Sequence, residues 1–134
     1  MQARQIGRPN PTSHARLQLV LVALGAWNLL IFLLELTNAG PLRVGDVDGV
    51  LGARAVSGAV GVLGVAYLYA ARNPVRYRFV LWLATLEQFV GLFTATFHWA
   101  RGDLGADEAV VPILVCAGAL VLLMTNLPRQ TDTL

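Results

Sequence analysis

The sequence predicts an all-α protein, an integral membrane bundle of four helices that run up and down in alternation. Hydrophobic residues make up 56% of the 134-residue chain and charged residues only 13%, too little charge to cover a soluble domain of this size. Four apolar runs are each long enough to cross a bilayer. Short polar segments separate the runs, so consecutive helices are expected to be antiparallel neighbours.

The runs predict four helices, at about 17–38, 50–71, 77–99 and 109–127. Glycine and proline signals follow them: the first run ends at Asn38 to Pro41, the second at Arg72 to Pro74, and the fourth at Pro128. The segment 1–16 is polar and predicts a disordered cytoplasmic tail. The segment 128–134 predicts a short C-terminal tail, also cytoplasmic.

Arginine positions predict the orientation. The chain has ten arginines and no lysine, and its net charge is +2. Seven arginines fall in the N-terminal tail, the loop after the second helix and the C-terminal tail, against three on the opposite side. We therefore expect both termini in the cytoplasm and the chain in the cell's inner membrane. The arginines flank the helices instead of forming one patch with aromatic residues, which argues against nucleic-acid binding.

Few residues suggest cofactor or metal chemistry. Cys116 lies inside the fourth run and cannot form an internal disulfide. The two histidines, His14 and His98, give no zinc-ligand spacing, so neither a metal nor a cofactor is predicted. No nucleophile–base pattern or phosphate loop occurs, and an enzyme is unsupported by the sequence.

Small residues in the second helix predict a close helix–helix contact. They recur at spacings of three and four and share one side of the helix: Ser57, Gly58, Gly61 and Gly64. Membrane helices associate through packing, and small residues let their backbones approach. We interpret these four residues as a packing face.

The third helix carries a polar stripe with a carboxylate near its midpoint. Glu87, Gly91, Thr94 and His98 follow at spacings typical of one helix face. An ionised carboxylate near the middle of a bilayer costs roughly 2.5–3.5 kcal/mol on insertion scales, so Glu87 is expected to face the bundle interior. Two interpretations stay open: a proton or ligand site, or a protonated side chain that hydrogen-bonds a neighbouring helix, for example at Asn28.

A second polar group is expected nearer the outer surface. Antiparallel helices bring Glu35, Arg54 and His98 to a similar depth. A carboxylate, a guanidinium and an imidazole could handle protons or bind an anion, but we favour a structural salt bridge that fixes helix register. His98 lies eleven residues from Glu87, roughly 16 Å along the helix, so these two side chains cannot form a direct pair.

One part of the sequence resembles a known group of proteins. The resemblance covers about the second and third helices and rests on Arg54-Ala-Val-Ser-Gly58, Gly64-Val-Ala-Tyr67 and Ala70-Ala-Arg72-Asn-Pro74-Val-Arg76-Tyr77. It is to the small bacterial four-helix membrane proteins of the DoxX-like and related families of unknown function. In these a helix opens with arginine near a glycine-rich face and ends in Ala-Arg-x-Pro. The resemblance implies a bacterial inner-membrane protein and supplies no reaction.

Three functions are compatible with these features. The leading hypothesis is a non-catalytic accessory or partner-binding membrane subunit that contacts the lipid bilayer and either another membrane protein or a second copy of itself. The alternative is a small transporter or proton-coupled carrier that uses Glu87. A third hypothesis is a membrane-embedded enzyme acting on a hydrophobic substrate.

Overall fold

The computed structural model describes residues 11–37 and 47–127, with side chains for 14–37 and 56–127. These residues form four α-helices: α1 (Pro11–Leu36), α2 (Val47–Ala70), α3 (Arg78–Arg101) and α4 (Ala106–Asn126). The described ranges contain no strand. The predicted all-α, four-helix fold is therefore confirmed.

Three helices, α1, α2 and α4, begin earlier than the sequence predicted; α2 begins at Val47 instead of about residue 50. Helix α1 begins at Pro11 instead of Leu17, because proline suits the first helical position, where its missing N–H has no partner to lose. Residues 11–16 are thus helical, not part of a disordered tail. Helix α4 begins at Ala106, where the backbone N–H of Gly105 donates to the Glu108 carboxylate at 3.0 Å and closes the first turn. The tail assignments for 1–10 and 128–134 lie outside the described residues.

The helices have the length and composition of membrane spans. Three segments qualify: His14–Leu36, Arg78–Arg101 and Ala106–Asn126. The part of α2 with described side chains adds a shorter apolar stretch, Val56–Ala70. Large apolar side chains also cover the outside of the bundle, among them Phe79, which is 78% exposed. A hydrophobic exterior of this kind suits lipid, and the protein is membrane-embedded.

The helices are arranged in a ring in chain order. Helix α1 packs along α2 and α3 packs along α4, while less extensive α1–α4 and α2–α3 contacts join the two hairpins. The diagonal pairs, α1 with α3 and α2 with α4, make no close backbone contacts in the described ranges. This is the up-down arrangement that short connections favour. Any direct contact between α1 and α3 therefore depends on long side chains that cross the interior.

Glycines bring α1 and α2 together. A Cβ atom on Gly64 would lie 2.9 Å from the backbone oxygen of Gly25, and one on Gly61 would lie 2.8 Å from the Phe32 ring. Ser57, on the same side of α2, is buried. A Cβ atom on Gly58 would meet no atom of the described chain within 4 Å. The close contact thus uses only part of the predicted packing face, and it fixes the depth at which α1 and α2 face each other.

The apolar core is concentrated at one end of the bundle, where α1 begins and α2 ends. Its members are Leu17, Val20, Leu21, Leu24, Tyr67, Ala70, Ala71, Leu81, Ala84, Ala119 and Leu123. Toward the opposite end the buried residues that the structure describes are small or polar: Glu35, Ser57, Ala95 and Ala109. The polar side chains of the middle layer lie between these two regions.

Candidate polar site in the bundle interior

Glu87 lies beside the interior face of α3. That face is marked by the buried residues Leu81, Ala84, Gln88 and Ala95. Glu87 is nine residues past the start of α3, about 14 Å along the helix, and its side chain is partly buried. The carboxylate therefore reaches the bundle interior near the middle of α3.

Both carboxylate oxygens of Glu87 accept hydrogen bonds. The Asn28 amide donates from α1 to Oε1 at 2.9 Å, and the Tyr67 hydroxyl donates from α2 to Oε2 at 2.6 Å. The neighbouring Gln88 amide adds a longer hydrogen bond to Oε2, at 3.3 Å. We call Asn28, Tyr67, Glu87 and Gln88 the interior cluster. It joins three helices and includes the diagonal pair α1 and α3, whose backbones do not meet.

The glycine contact positions the donors of the interior cluster. Asn28 lies one turn after Gly25, and its Cβ is only 3.2 Å from the place where a Cβ on Gly64 would be. Tyr67 follows Gly64 by about one turn of α2, so its side chain leaves the same face of the helix. Small residues at the crossing thus hold two longer polar side chains at the depth of Glu87.

The three residues that donate hydrogen bonds to Glu87 are buried. Tyr67, Asn28 and Gln88 are 0%, 4% and 6% exposed, respectively. Among the described residues, no buried side-chain nitrogen or oxygen lacks a hydrogen-bond partner. Hydrogen bonds are stronger in a medium of low dielectric, and an unmade one costs more there. The arrangement can therefore hold a carboxyl group inside an apolar bundle and tie helices together through it.

A second cluster lies at the far end of α3. His98 Nδ1 lies 2.9 Å from the Asp103 carboxylate, and the Arg101 guanidinium lies 3.4 Å from the same oxygen. Gly102 has a positive φ of 77° and ends the helix, which turns Asp103 back toward His98. We call His98, Arg101 and Asp103 the turn cluster. Its members are exposed to a large degree, and its contacts stay within one turn of the chain.

The predicted site residues are distributed over several places. Asn28 and Glu87 meet, whereas Thr94 is exposed on the outside of α3. His98 pairs with Asp103 in its own turn. Glu35 is buried near the end of α1 and has an interaction partner. The side chain of Arg54 lies outside the described residues, so the expected association of Glu35 with Arg54 stays a prediction.

Sequence reasoning missed Tyr67 and Gln88 as partners of Glu87. Tyr67 continues the spacing of Gly61 and Gly64 on α2, so a signal for its inward direction was present. Gln88 was missed because the polar stripe through Glu87 was used to predict the interior side of α3. The face that is buried is rotated from that stripe by about one residue and includes Gln88. Both residues are polar side chains inside apolar runs, which is itself a mark of an interior position.

The fold and the interior cluster define a class: a small four-helix membrane protein with a carboxyl group held between helices. Comparisons of the chain with protein-family models, with curated proteins and with solved structures found no match. Within the residues that the structure describes, no group of three His, Cys, Asp or Glu side chains is placed to hold a metal ion. The resemblance to the DoxX-like families stays a prediction.

Proposed function

We propose that the protein is a non-catalytic membrane subunit that binds another membrane protein through its outer helical surface. The observation that carries this proposal is the closure of the interior cluster. Both oxygens of Glu87 accept hydrogen bonds from donors of the bundle itself, contributed by Asn28, Tyr67 and Gln88. The most polar part of the interior therefore holds the helices together, and a partner protein would be bound by the outer surface.

The surface of α3 offers one polar contact for a partner helix. Among the five threonines with described side chains, four donate to a nearby backbone carbonyl of their own helix: Thr37, Thr85, Thr96 and Thr125. Thr94 is exposed, and its side-chain hydroxyl makes no hydrogen bond within the described part of the chain. Val90 and Phe97 lie on the same side of α3 and are also exposed. A hydroxyl facing lipid favours a partner that can hydrogen-bond it.

Photo-crosslinking in native membranes tests this proposal. A photoreactive residue replaces Val90, on the Thr94 side of α3, and in a matched variant it replaces Val62, an exposed valine of α2. We expect a discrete protein adduct at position 90 and none at position 62. Adding Thr94→Val, which removes the hydroxyl and keeps the shape, should weaken the adduct. Lipid adducts alone at both positions would contradict the proposal.

A second candidate function is a proton-coupled carrier that uses Glu87. Glu87 is partly exposed although its three partners are buried, and this observation favours exchange with the surroundings. In vesicles containing a pH-sensitive dye, the carrier hypothesis predicts proton flux that Glu87→Gln abolishes in a folded protein. Equal flux in the Gln variant, or loss of folding in place of loss of flux, would reject the carrier.

The proposed location is the inner membrane of a bacterium, with both termini in the cytoplasm. Charge distribution supports this orientation: the α2–α3 turn is basic, whereas the α3–α4 turn contains Asp103 and the first turn of α4 contains Asp107 and Glu108. Labelling of single cysteines in a Cys116→Ser background tests it. An impermeant maleimide should label Arg101→Cys in intact cells and Arg76→Cys only after permeabilisation. The reverse pattern would overturn the orientation.

A further inference from the structure

Two arginines and two tyrosines contact one another at the turn between α2 and α3. The Tyr69 and Tyr77 ring centroids lie 5.1 Å apart, and the Tyr77 hydroxyl donates to that of Tyr69 at 3.3 Å. The Arg72 guanidinium lies 5.4 Å from the centre of the Tyr69 ring, and that of Arg76 lies 5.7 Å from the Tyr77 ring. We call these four residues the arginine–tyrosine stack. These distances are those of cation–π contacts, which use none of the N–H donors of a guanidinium.

The backbone of the turn is held in place. The Asn73 N–H donates to the carbonyl of Ala70 at 3.1 Å, and the Asn73 side chain accepts from the backbone N–H of Arg76 at 3.1 Å. Pro74 is fully buried beneath the turn. The two arginines therefore project from a fixed segment, which lowers the entropy that a bound anion would have to remove.

The positive charge of the stack is not neutralised within the described chain. The sequence contains no acidic residue between Asp48 and Glu87, and Glu87 is engaged in the interior cluster. Among the described residues, neither Arg72 nor Arg76 has a carboxylate within ion-pair distance. The hydrogen bond to Tyr69 raises the pKa of the Tyr77 hydroxyl above its ordinary value, so the tyrosine adds no negative charge near neutral pH. Within the described residues the stack is therefore cationic.

The stack lies where a membrane helix meets the headgroup layer. Helix α2 ends at Ala70 and α3 begins at Arg78, so the turn between them is at one surface of the bilayer. Tyrosine is typical of this layer, and Tyr69 is 52% exposed. Slightly deeper on α3, Phe79 and Trp82 are also exposed and can contact acyl chains.

We propose that the arginine–tyrosine stack binds the phosphate of an anionic phospholipid, with the N–H edges of Arg72 and Arg76 as donors. Arginine suits phosphate because its planar fork can donate two hydrogen bonds to one group. A lipid is favoured over free phosphate because the stack lies at headgroup depth beside exposed aromatic rings. This site is independent of the partner-binding surface on α3 and of the interior cluster.

Native mass spectrometry of the full chain, released from vesicles, tests the proposal. The vesicles contain phosphatidylcholine and phosphatidylglycerol in equal amounts, and the retained lipids are counted. We expect the wild type to retain phosphatidylglycerol preferentially. Arg72→Gln combined with Arg76→Gln should reduce that preference about tenfold, because this variant loses the N–H donors that the proposal assigns to the phosphate. Arg16→Gln is the control: it removes one exposed surface charge near the start of α1 and neither donor, so it should reduce the preference much less than the double variant does.

Two further arms give the experiment a clear outcome. Lysine at positions 72 and 76 keeps the charge and loses the planar fork, and it should restore only part of the preference in a protein whose helical circular dichroism is unchanged. Inorganic phosphate should not displace the lipid at millimolar concentration. Equal retention of both lipids, an equal loss in Arg16→Gln, or displacement by phosphate would each overturn the proposal.

Discussion

The two polar clusters on α3 differ in what they connect. The interior cluster places Glu87 between Asn28 on α1 and Tyr67 on α2, so its hydrogen bonds join residues that are 59 and 20 positions apart in the chain. The turn cluster joins His98 to Asp103, only five positions away. The first is mostly buried, whereas the side chains of the second are between 43% and 62% exposed. The comparison indicates that a polar residue in a membrane helix affects the whole bundle when its partners come from other helices.

This difference leads to an ordered set of expected effects. A change that separates the helices around the interior cluster should have the largest effect on stability. Removal of one of its hydrogen bonds should have a smaller effect, because the remaining donors keep Glu87 in place. A change in the turn cluster should have the smallest effect, since water can replace its hydrogen bonds.

The largest effect is expected for Gly64→Val. The added Cβ would lie 2.9 Å from the Gly25 backbone oxygen and 3.2 Å from the Asn28 Cβ, and a backbone atom cannot move aside as a flexible side chain can. We expect the free energy of unfolding to fall by about 3 kcal/mol, the upper part of the range for overpacking. Reversible unfolding in detergent micelles measures it.

Gly58→Val is the matched control for this prediction. It makes the same change on the same helix, at a position where a Cβ meets no atom of the described chain within 4 Å. Gly58→Val should leave the free energy of unfolding almost unchanged. Equal losses in the two variants would show that the α1–α2 contact is not what positions the interior cluster.

An intermediate effect is expected for Tyr67→Phe. The ring and its packing stay, and only the hydrogen bond to Glu87, 2.6 Å long, is removed. Interhelical hydrogen bonds in membrane proteins contribute about 0.6 kcal/mol on average and at most about 1.7. We expect a loss of about 1 kcal/mol in the same unfolding measurement, because the acceptor is a carboxylate. No loss at all would mean that Tyr67 does not stabilise the bundle through this bond.

The smallest effect is expected for Asp103→Asn. The side chains of His98 and Asp103 are 45% and 43% exposed, and exposed ion pairs contribute little. We expect a loss of less than about 0.5 kcal/mol in unfolding free energy. A loss as large as that of Tyr67→Phe would remove the distinction between the two clusters.

The sequence predicted the fold well because the membrane simplifies the problem. Long apolar runs and the breakers between them, such as Pro74, are enough to indicate four helices and their antiparallel order. Helix ends were less accurate, because end positions depend on local contacts such as the Gly105–Glu108 hydrogen bond.

The rotation of each helix was harder to predict. In a membrane helix both the lipid-facing and the core-facing side chains are apolar, so the hydrophobic pattern does not show which side is inside. Polar residues are then the main markers, and Glu87 and Gln88 point about 100° apart. A contact between Glu87 and Asn28 was one of two interpretations that the sequence left open, and the structure contains it, while Thr94, on the predicted stripe, is exposed. The hydrogen bond between Tyr67 and Glu87 could not be predicted without the three-dimensional register of α1 and α2.

The most direct test of the central claim is a double-mutant cycle between Asn28 and Glu87, using Asn28→Ala and Glu87→Ala, each of which removes the hydrogen bond between them. If their hydrogen bond ties the diagonal helices together, the free energies of unfolding should show a coupling of about 1 kcal/mol. A parallel cycle of Asn28→Ala with Asp103→Asn should show none. Coupling that is absent in the first cycle, or equal in both, would contradict the structural role of the interior cluster.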